Sequence, residues 1–201
     1  MIPRIIHQIW IGNKEKPCDW MDTWKKNNQD FEYMFWGEKE IDELLLVNRK
    51  AYDTLYSQRS FCGAANVARV EILYRFGGIY IDADAECIRG LSDAPFLNKE
   101  CFFVPMSDKS HKISNGIIGI EKEHHYMKEY MDAIAKVEEF DPPWATIGPK
   151  LLTKIVGLKN PNVIPAKTFL PVHYSGYEST GDCEIYSIHH WGSTRRKYKN
   201  K

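Results

Sequence analysis

Two acidic residues, Asp82 and Asp84, are the first candidates for chemistry in this sequence. They close the stretch Gly77-Gly78-Ile79-Tyr80-Ile81-Asp82-Ala83-Asp84, in which a short apolar run leads straight into the acidic pair. Side chains at i and i+2 leave an extended chain on the same face, so both carboxylates can converge on one point. Two anions held that close repel unless a cation lies between them. Hard divalent ions that take oxygen ligands, Mn2+ or Mg2+, suit such a pair. An Asp-x-Asp is also common by chance at a polar strand end, so its surroundings decide what it means.

A metal held by two carboxylates usually takes another protein ligand, and imidazole is acceptable to Mn2+. His189-His190 follow a late apolar run and precede Trp191-Gly192-Ser193. Adjacent residues on a strand face opposite ways, so one of these two rings can aim at the metal while the other packs or hydrogen-bonds. His124-His125 is a second pair, at the start of an amphipathic helical stretch, and reads as surface. Arg69 and Glu71 fall on a helical stretch upstream, where an arginine is by default a solvated charge. Trp10 lies near the C-terminal end of the first expected strand, where ligands bind in open α/β sheets; it is either a platform for a flat ring or a core residue.

The elements that must position these groups alternate along the chain. Strands are expected over 2–12, 31–36, 79–81, 86–88, 101–104, 115–120, 163–164 and 185–188. Helices are expected over 20–28, 38–47, 61–76, 123–140 and 148–156. In the helix over 61–76, Ala64, Ala65, Ala68, Ile72 and Phe76 recur at helical intervals and give a small-residue face for close packing on a sheet. Gly77-Gly78 ends that helix and lets the backbone turn tightly. The pattern predicts an α/β fold, a mostly parallel sheet covered by helices, in a single domain over 1–201.

Composition bounds the function. The chain has 201 residues and zero formal net charge, with 43% hydrophobic and 13% aromatic residues including six tryptophans. Bulk charge gives no reason to expect nucleic acid as a partner. Five dispersed cysteines without a Cys-x-x-Cys pair argue against a disulfide framework and against a zinc site, and favour a reducing compartment. The N-terminal residues carry no apolar region long enough for a signal peptide, and no apolar run approaches the ~18–20 residues of a membrane span. A cytoplasmic protein is expected. The basic tail Arg195-Arg196-Lys197-Tyr198-Lys199-Asn200-Lys201 is a candidate for peripheral contact with the inner membrane face.

Four blocks occur in order: the opening Ile2–Gly12, the run from Ala64-Ala65-Asn66-Val67-Ala68-Arg69 through Asp84, the segment Asn115–Gly119, and the closing His189-His190-Trp191-Gly192-Ser193. Together they resemble the DXD-containing sugar glycosyltransferases, the type found among capsular polysaccharide synthesis proteins and the initiating α-1,6-mannosyltransferase of yeast. The resemblance spans nearly the whole chain. It implies a GT-A type nucleotide-sugar-binding sandwich using Mn2+ or Mg2+. By position, Trp10 matches the aromatic that stacks on the nucleobase, and Asn66, Arg69 and Asn115 fall in blocks that face the donor. Tyr80 matches a residue near the donor phosphates. Asp82 matches the aspartate contacting ribose and metal, Asp84 the direct metal ligand, and His190 or His189, with Ser193, the C-terminal segment near the diphosphate. Relatives commonly follow that serine with tryptophan, whereas here Thr194 leads into Arg195-Arg196-Lys197.

The implied activity is metal-dependent, retaining transfer of a hexose from a nucleotide sugar, UDP-hexose or GDP-mannose, to a saccharide or other hydroxyl acceptor in surface polysaccharide synthesis. Asp82, Asp84 and Arg69 are the expected catalytic groups, with Arg69 offering bidentate hydrogen bonds to phosphate or sugar hydroxyls. The acceptor is expected in an open groove between segments 105–114 and 141–148. Rival readings are a metal-dependent nucleotide-sugar hydrolase and an inactive carbohydrate-binding relative.

Overall fold

A computed structural model describes residues 1–192 of the chain. Ser193 and the basic tail therefore lie outside the described residues. The elements run β1 (Ile5–Ile9), α1 (Cys18–Asn27), β2 (Glu32–Trp36), α2 (Glu38–Glu43), α3 (Arg49–Ser57), α4 (Phe61–Phe76), β3 (Gly78–Ile81), β4 (Ala85–Cys87), β5 (Cys101–Pro105), β6 (Ile113–Ile120), α5 (His125–Ile134), α6 (Pro143–Thr146), α7 (Pro149–Val156) and β7 (Ser187–His189). Five strands form one sheet in the order β2-β1-β3-β6-β5, and β4 pairs with β7 in a separate two-stranded ribbon. β1 runs parallel to both β2 and β3, and β6 lies antiparallel to its neighbours β3 and β5. Four of the five strands therefore share one direction, as the alternation of elements predicts.

Strand alternation sends side chains into two apolar layers. On β5, Cys101 and Phe103 enter one layer with Ala64, Val67, Ile118, Met127 and Leu152. Phe102 and Val104 enter the other, with Ile6, Trp24, Ile79, Ile81 and Phe169. β3 divides the same way: Ile79 and Ile81 go to the second layer, while Tyr80 goes to the first.

The central helix α4 has the bounds expected from sequence. Gly77 follows it at φ 65°, donating its N–H to Leu73 O (2.9 Å). The expectation of a single packing face does not hold, because buried residues recur on every side of the helix from Gly63 to Leu73. Arg69 is consequently 5% exposed, not a solvated charge. Glu71, also buried, accepts from the backbone N–H groups of Val47 and Asn48 (2.7 Å each) and so fixes the turn into α3. α3 itself is a helix that the apolar spacing did not single out. His124 is buried rather than a surface residue, because its ring caps α5 by accepting from Tyr126 N–H (3.2 Å). Segment 163–164 contributes an isolated bridge from Val163 to Phe103 and no strand. Among the described residues no helix is long and apolar enough to cross a membrane, and all five cysteines are free thiols.

Candidate active site

Asp82 and Asp84 leave the C-terminal end of β3, where the parallel strands open into a cleft of about 480 Å3. The turn is anchored by Asp82 N–H, which donates to Gly116 O of β6 (2.8 Å). The β4–β7 ribbon then completes the site from the far end of the chain. Its antiparallel register sets Ala85 opposite His189, and His190 N–H donates to Asp84 O (2.9 Å). His189 Nε2 thereby lies 3.4 Å from Asp82 Oδ2 and 3.3 Å from Asp84 Oδ1. One ligand atom from each of Asp82, Asp84 and His189 falls within 4.8 Å of the other two.

The other oxygen of each acid is already engaged. Asp82 Oδ1 accepts from Tyr80 OH (2.9 Å) and Arg69 Nη2 (3.1 Å). Asp84 Oδ2 accepts from Gly192 N–H (2.6 Å). Each acid is thus held in a fixed orientation with one oxygen turned to the shared point. Two carboxylate oxygens and an imidazole form a donor set that fits a hard or borderline divalent cation.

Of the two candidate histidines, the register brings His189 to the acids. His190 faces the opposite way: its Nε2 meets Glu86 Oε2 at 2.9 Å and its ring stacks on Trp20 at 4.1 Å. Of the two rings between which the sequence left the choice open, strand alternation brings His189, and not His190, to the acids.

A polar ladder backs the acids. Arg69 Nη2 also donates to Tyr80 OH (3.0 Å), and Nη1 donates to Asn66 Oδ1 (2.9 Å). Asn66 Oδ1 accepts in turn from Asn115 Nδ2 (2.7 Å). The guanidinium carbon stands 4.0 Å from the Tyr80 ring centroid. Arg69 Nε is buried without a hydrogen-bond partner among the described residues. Trp10, Asn66, Arg69, Tyr80, Asp82, Asp84, Asn115 and His189 all line the cleft, and Trp10 Nε1–H is directed at Lys14 O (2.9 Å).

The pattern of the family described as "glycosyltransferase sugar-binding region containing DXD motif" matches residues 15–103. Over these residues the chain is similar to that DXD-containing region. An inositol phosphoceramide mannosyltransferase of Schizosaccharomyces pombe is 33% identical over 130 residues, 63% of this chain and 35% of that relative. An uncharacterized glycosyltransferase of Acanthamoeba polyphaga mimivirus is 35% identical over 132 residues, 62% of this chain and 52% of the relative. The chain thus spans between about a third and a half of these curated relatives. Among solved structures, the PaToxG glycosyltransferase superposes with a TM-score of 0.64 at 19% identity, covering 77% of this chain and 68% of that one. That likeness shows a glycosyltransferase fold.

Around Asp82 and Asp84 the charges depend on one another. Burial opposes ionisation of Asp82, but the Arg69 guanidinium, with His189 and Tyr80, outweighs it and holds the carboxyl well below the usual carboxylate range. Burial opposes protonation of His189, yet Asp84 and then Asp82 outweigh it and raise its pKa. Burial pushes the Tyr80 phenol well above its ordinary value, so it remains a donor to Asp82. Trp191 N–H donates to His189 Nδ1 (3.1 Å), so the neutral ring carries its proton on Nε2, toward the acids.

Sequence reasoning missed Gly116 and Gly192. Gly192 supplies the N–H that orients Asp84, and Gly116 gives the room in which Asp82 sits. A glycine inside an apolar strand signals close approach of another group, so Gly116 was readable in principle. The partner of Gly192 follows from the β4–β7 pairing alone.

Proposed function

We propose that this chain is a metal-dependent glycosyltransferase that moves a hexose from a nucleotide sugar to a hydroxyl acceptor. The observation that carries the reading is the convergence of Asp82 Oδ2, Asp84 Oδ1 and His189 Nε2 on one point inside the cleft. Asp82 and Asp84 would hold Mn2+ or Mg2+ there. His189 has two ways to serve the same point. It can donate Nε2–H to both acids, or it can act as a third ligand once its proton has left Nε2. When bound, the ion supplies charge stabilisation to the departing diphosphate.

This chain's own residues do the rest. Trp10 stacks the base at the cleft wall. Arg69 lines the cleft and offers its guanidinium charge to phosphate or sugar oxygen, where the exclusion of water makes that charge worth most. Asn66 and Asn115, cross-linked to each other, hold the sugar face. Asp82 and Asp84 are the carboxylates that line the cleft, and both are committed to the cation point. Among the described residues no other acid lines the cleft to form a covalent glycosyl intermediate. We therefore favour retention through front-face attack, in which the acceptor hydroxyl gives its proton to the departing phosphate. Mannose is the first donor sugar to test, because several relatives bear mannosyltransferase names.

The test is incubation with Mn2+, GDP-mannose or UDP-hexoses, and hydroxyl acceptors. A transferase yields an acceptor-dependent glycoside. Release of free sugar independent of acceptor would point to a hydrolase instead, and no Mn2+-dependent nucleotide binding would point to an inactive relative.

A further inference from the structure

At the end of the sheet remote from the cleft, three side chains of different ligand chemistry meet. β6 pairs its last residue, Ile120, with Gly78 at the start of β3 and with Cys101 at the start of β5. Cys101 therefore lies level with the beginning of β3, whereas Asp82 follows its end. Glu100 O accepts from Glu121 N–H (2.8 Å) where β6 leaves the sheet. The chain then turns through Glu123, whose N–H donates to Tyr74 O (2.7 Å), and brings His124 to the same corner. One ligand atom from each of Glu100, Cys101 and His124 lies within 4.8 Å of the other two. The dispersed cysteines gave no reason to expect zinc, because only the β5–β6 pairing joins Cys101 to His124.

One of these groups has an atom left over. His124 is 7% exposed. Its Nδ1 accepts from Tyr126 N–H (3.2 Å), so the neutral ring carries its proton on Nε2. Nε2 is buried and has no hydrogen-bond partner among the described residues, a rare state for a polar atom. Cys101 is fully buried, and Asn162 Nδ2–H is directed at its Sγ (3.3 Å) and at Glu100 Oε1 (3.5 Å). Carboxylate, thiol and imidazole thus crowd one corner while the imidazole N–H stays unsatisfied.

We infer that Glu100, Cys101 and His124 form a second cation site, one that takes a borderline divalent ion of the Zn2+ class. Thiolate and imidazole donors favour zinc, whereas Mg2+ and Mn2+ prefer oxygen, so this corner and the acidic pair select different ions. On binding, the Cys101 thiol loses its proton to solvent and the sulfur takes the ion. The Nε2 proton passes through solvent to Nδ1, and Nε2 takes the ion in its place. Tyr126 N–H gives up its bond to Nδ1, so one neutral hydrogen bond is exchanged for three ligand bonds. Asn162 remains the outer partner that orients Cys101 and Glu100. The ion ties the start of β5 to the first turn of α5, and its role is structural. The site stands independently of the transferase reading.

Cobalt spectroscopy separates this corner from the acidic pair, because only a thiolate ligand gives sulfur-to-cobalt charge-transfer absorption. The full chain, stripped with chelator, is titrated with Co2+ and then with Zn2+. A saturable charge-transfer band is expected, and Zn2+, which binds such donors more tightly than Co2+, should bleach it. The band should persist in Asp84→Asn and vanish in Cys101→Ser. Two further variants keep the test from resting on a buried serine. His124→Asn removes the ring and retains an N-cap acceptor for α5, and Glu100→Gln changes an exposed position. Each should weaken Zn2+ binding by at least the roughly 10- to 100-fold that loss of an outer partner costs. Glu100→Gln should leave the thermal melt of the metal-free chain unchanged. No band in the parent, a band that Zn2+ does not bleach, one that survives Cys101→Ser, or one lost in Asp84→Asn would overturn the inference. Undiminished Zn2+ binding in both His124→Asn and Glu100→Gln would do the same.

Discussion

Gly116 sits directly against Asp82: a Cβ placed at residue 116 would stand 2.4 Å from Asp82 Oδ2. That oxygen is the one turned toward Asp84 and His189, so the bare backbone of β6 is what lets the acids converge. Gly116→Ala is expected to swing the carboxylate off the shared point. Overpacking at this position costs about 1–3 kcal/mol of stability, and misplacing a positioned group by roughly 1 Å lowers transfer about 100-fold. Steady-state kinetics beside a thermal melt would show it; unchanged kcat/KM in a folded variant would remove Gly116 from the site.

Arg69 makes its contacts through both ends of a planar fork, one to Asn66 and one to Tyr80 and Asp82. Arg69→Lys keeps the charge and loses the fork. Transfer is expected to fall about 100-fold, as for removal of one preorganised electrostatic donor, with a stability loss of roughly 1–3 kcal/mol from the polar atoms left unpaired. A lysine variant with parental kinetics would show that charge alone suffices.

Much of this could be read from the chain. The bounds of α4 were legible because Gly77-Gly78 is a helix stop whose positive φ the structure displays. The strand into Asp82 was legible because its apolar run meets two acids. The burial of Arg69 was not legible, since a helix covered on all sides loses the one-faced spacing from which exposure is inferred. α3 was missed because its buried Ala51, Tyr52 and Leu55 are diluted by charged neighbours. The choice between His189 and His190 needed the register of β4 on β7, a pairing across about a hundred residues that no local period encodes.

His7, on β1 opposite Tyr80, carries a pH signature of its own. It is fully buried, accepts from Trp36 Nε1–H (3.2 Å) on Nδ1, and meets Gly77 O (2.8 Å) with Nε2. This is the pattern of a neutral ring with its proton on Nε2. Burial lowers its pKa to about 4. The unfolded chain protonates this ring near its ordinary 6.5, so between 6.5 and about 4 the unfolded state binds more protons and stability falls as the pH drops. At 1.36 kcal/mol per unit the loss is about 3 kcal/mol, complete near pH 4. Denaturant melts across this range should lose most of that slope in His7→Gln. An equal slope in the variant would assign the acid sensitivity elsewhere.

The most direct test of the account is calorimetric titration of GDP-mannose and UDP-sugars into the protein with and without Mn2+, repeated on Asp84→Asn. The account predicts nucleotide binding that requires Mn2+ in the parent and weakens by about 100-fold or more in the variant, in line with loss of a charged ligand. Metal-independent binding in the parent, or undiminished Mn2+-dependent binding in Asp84→Asn, would contradict it.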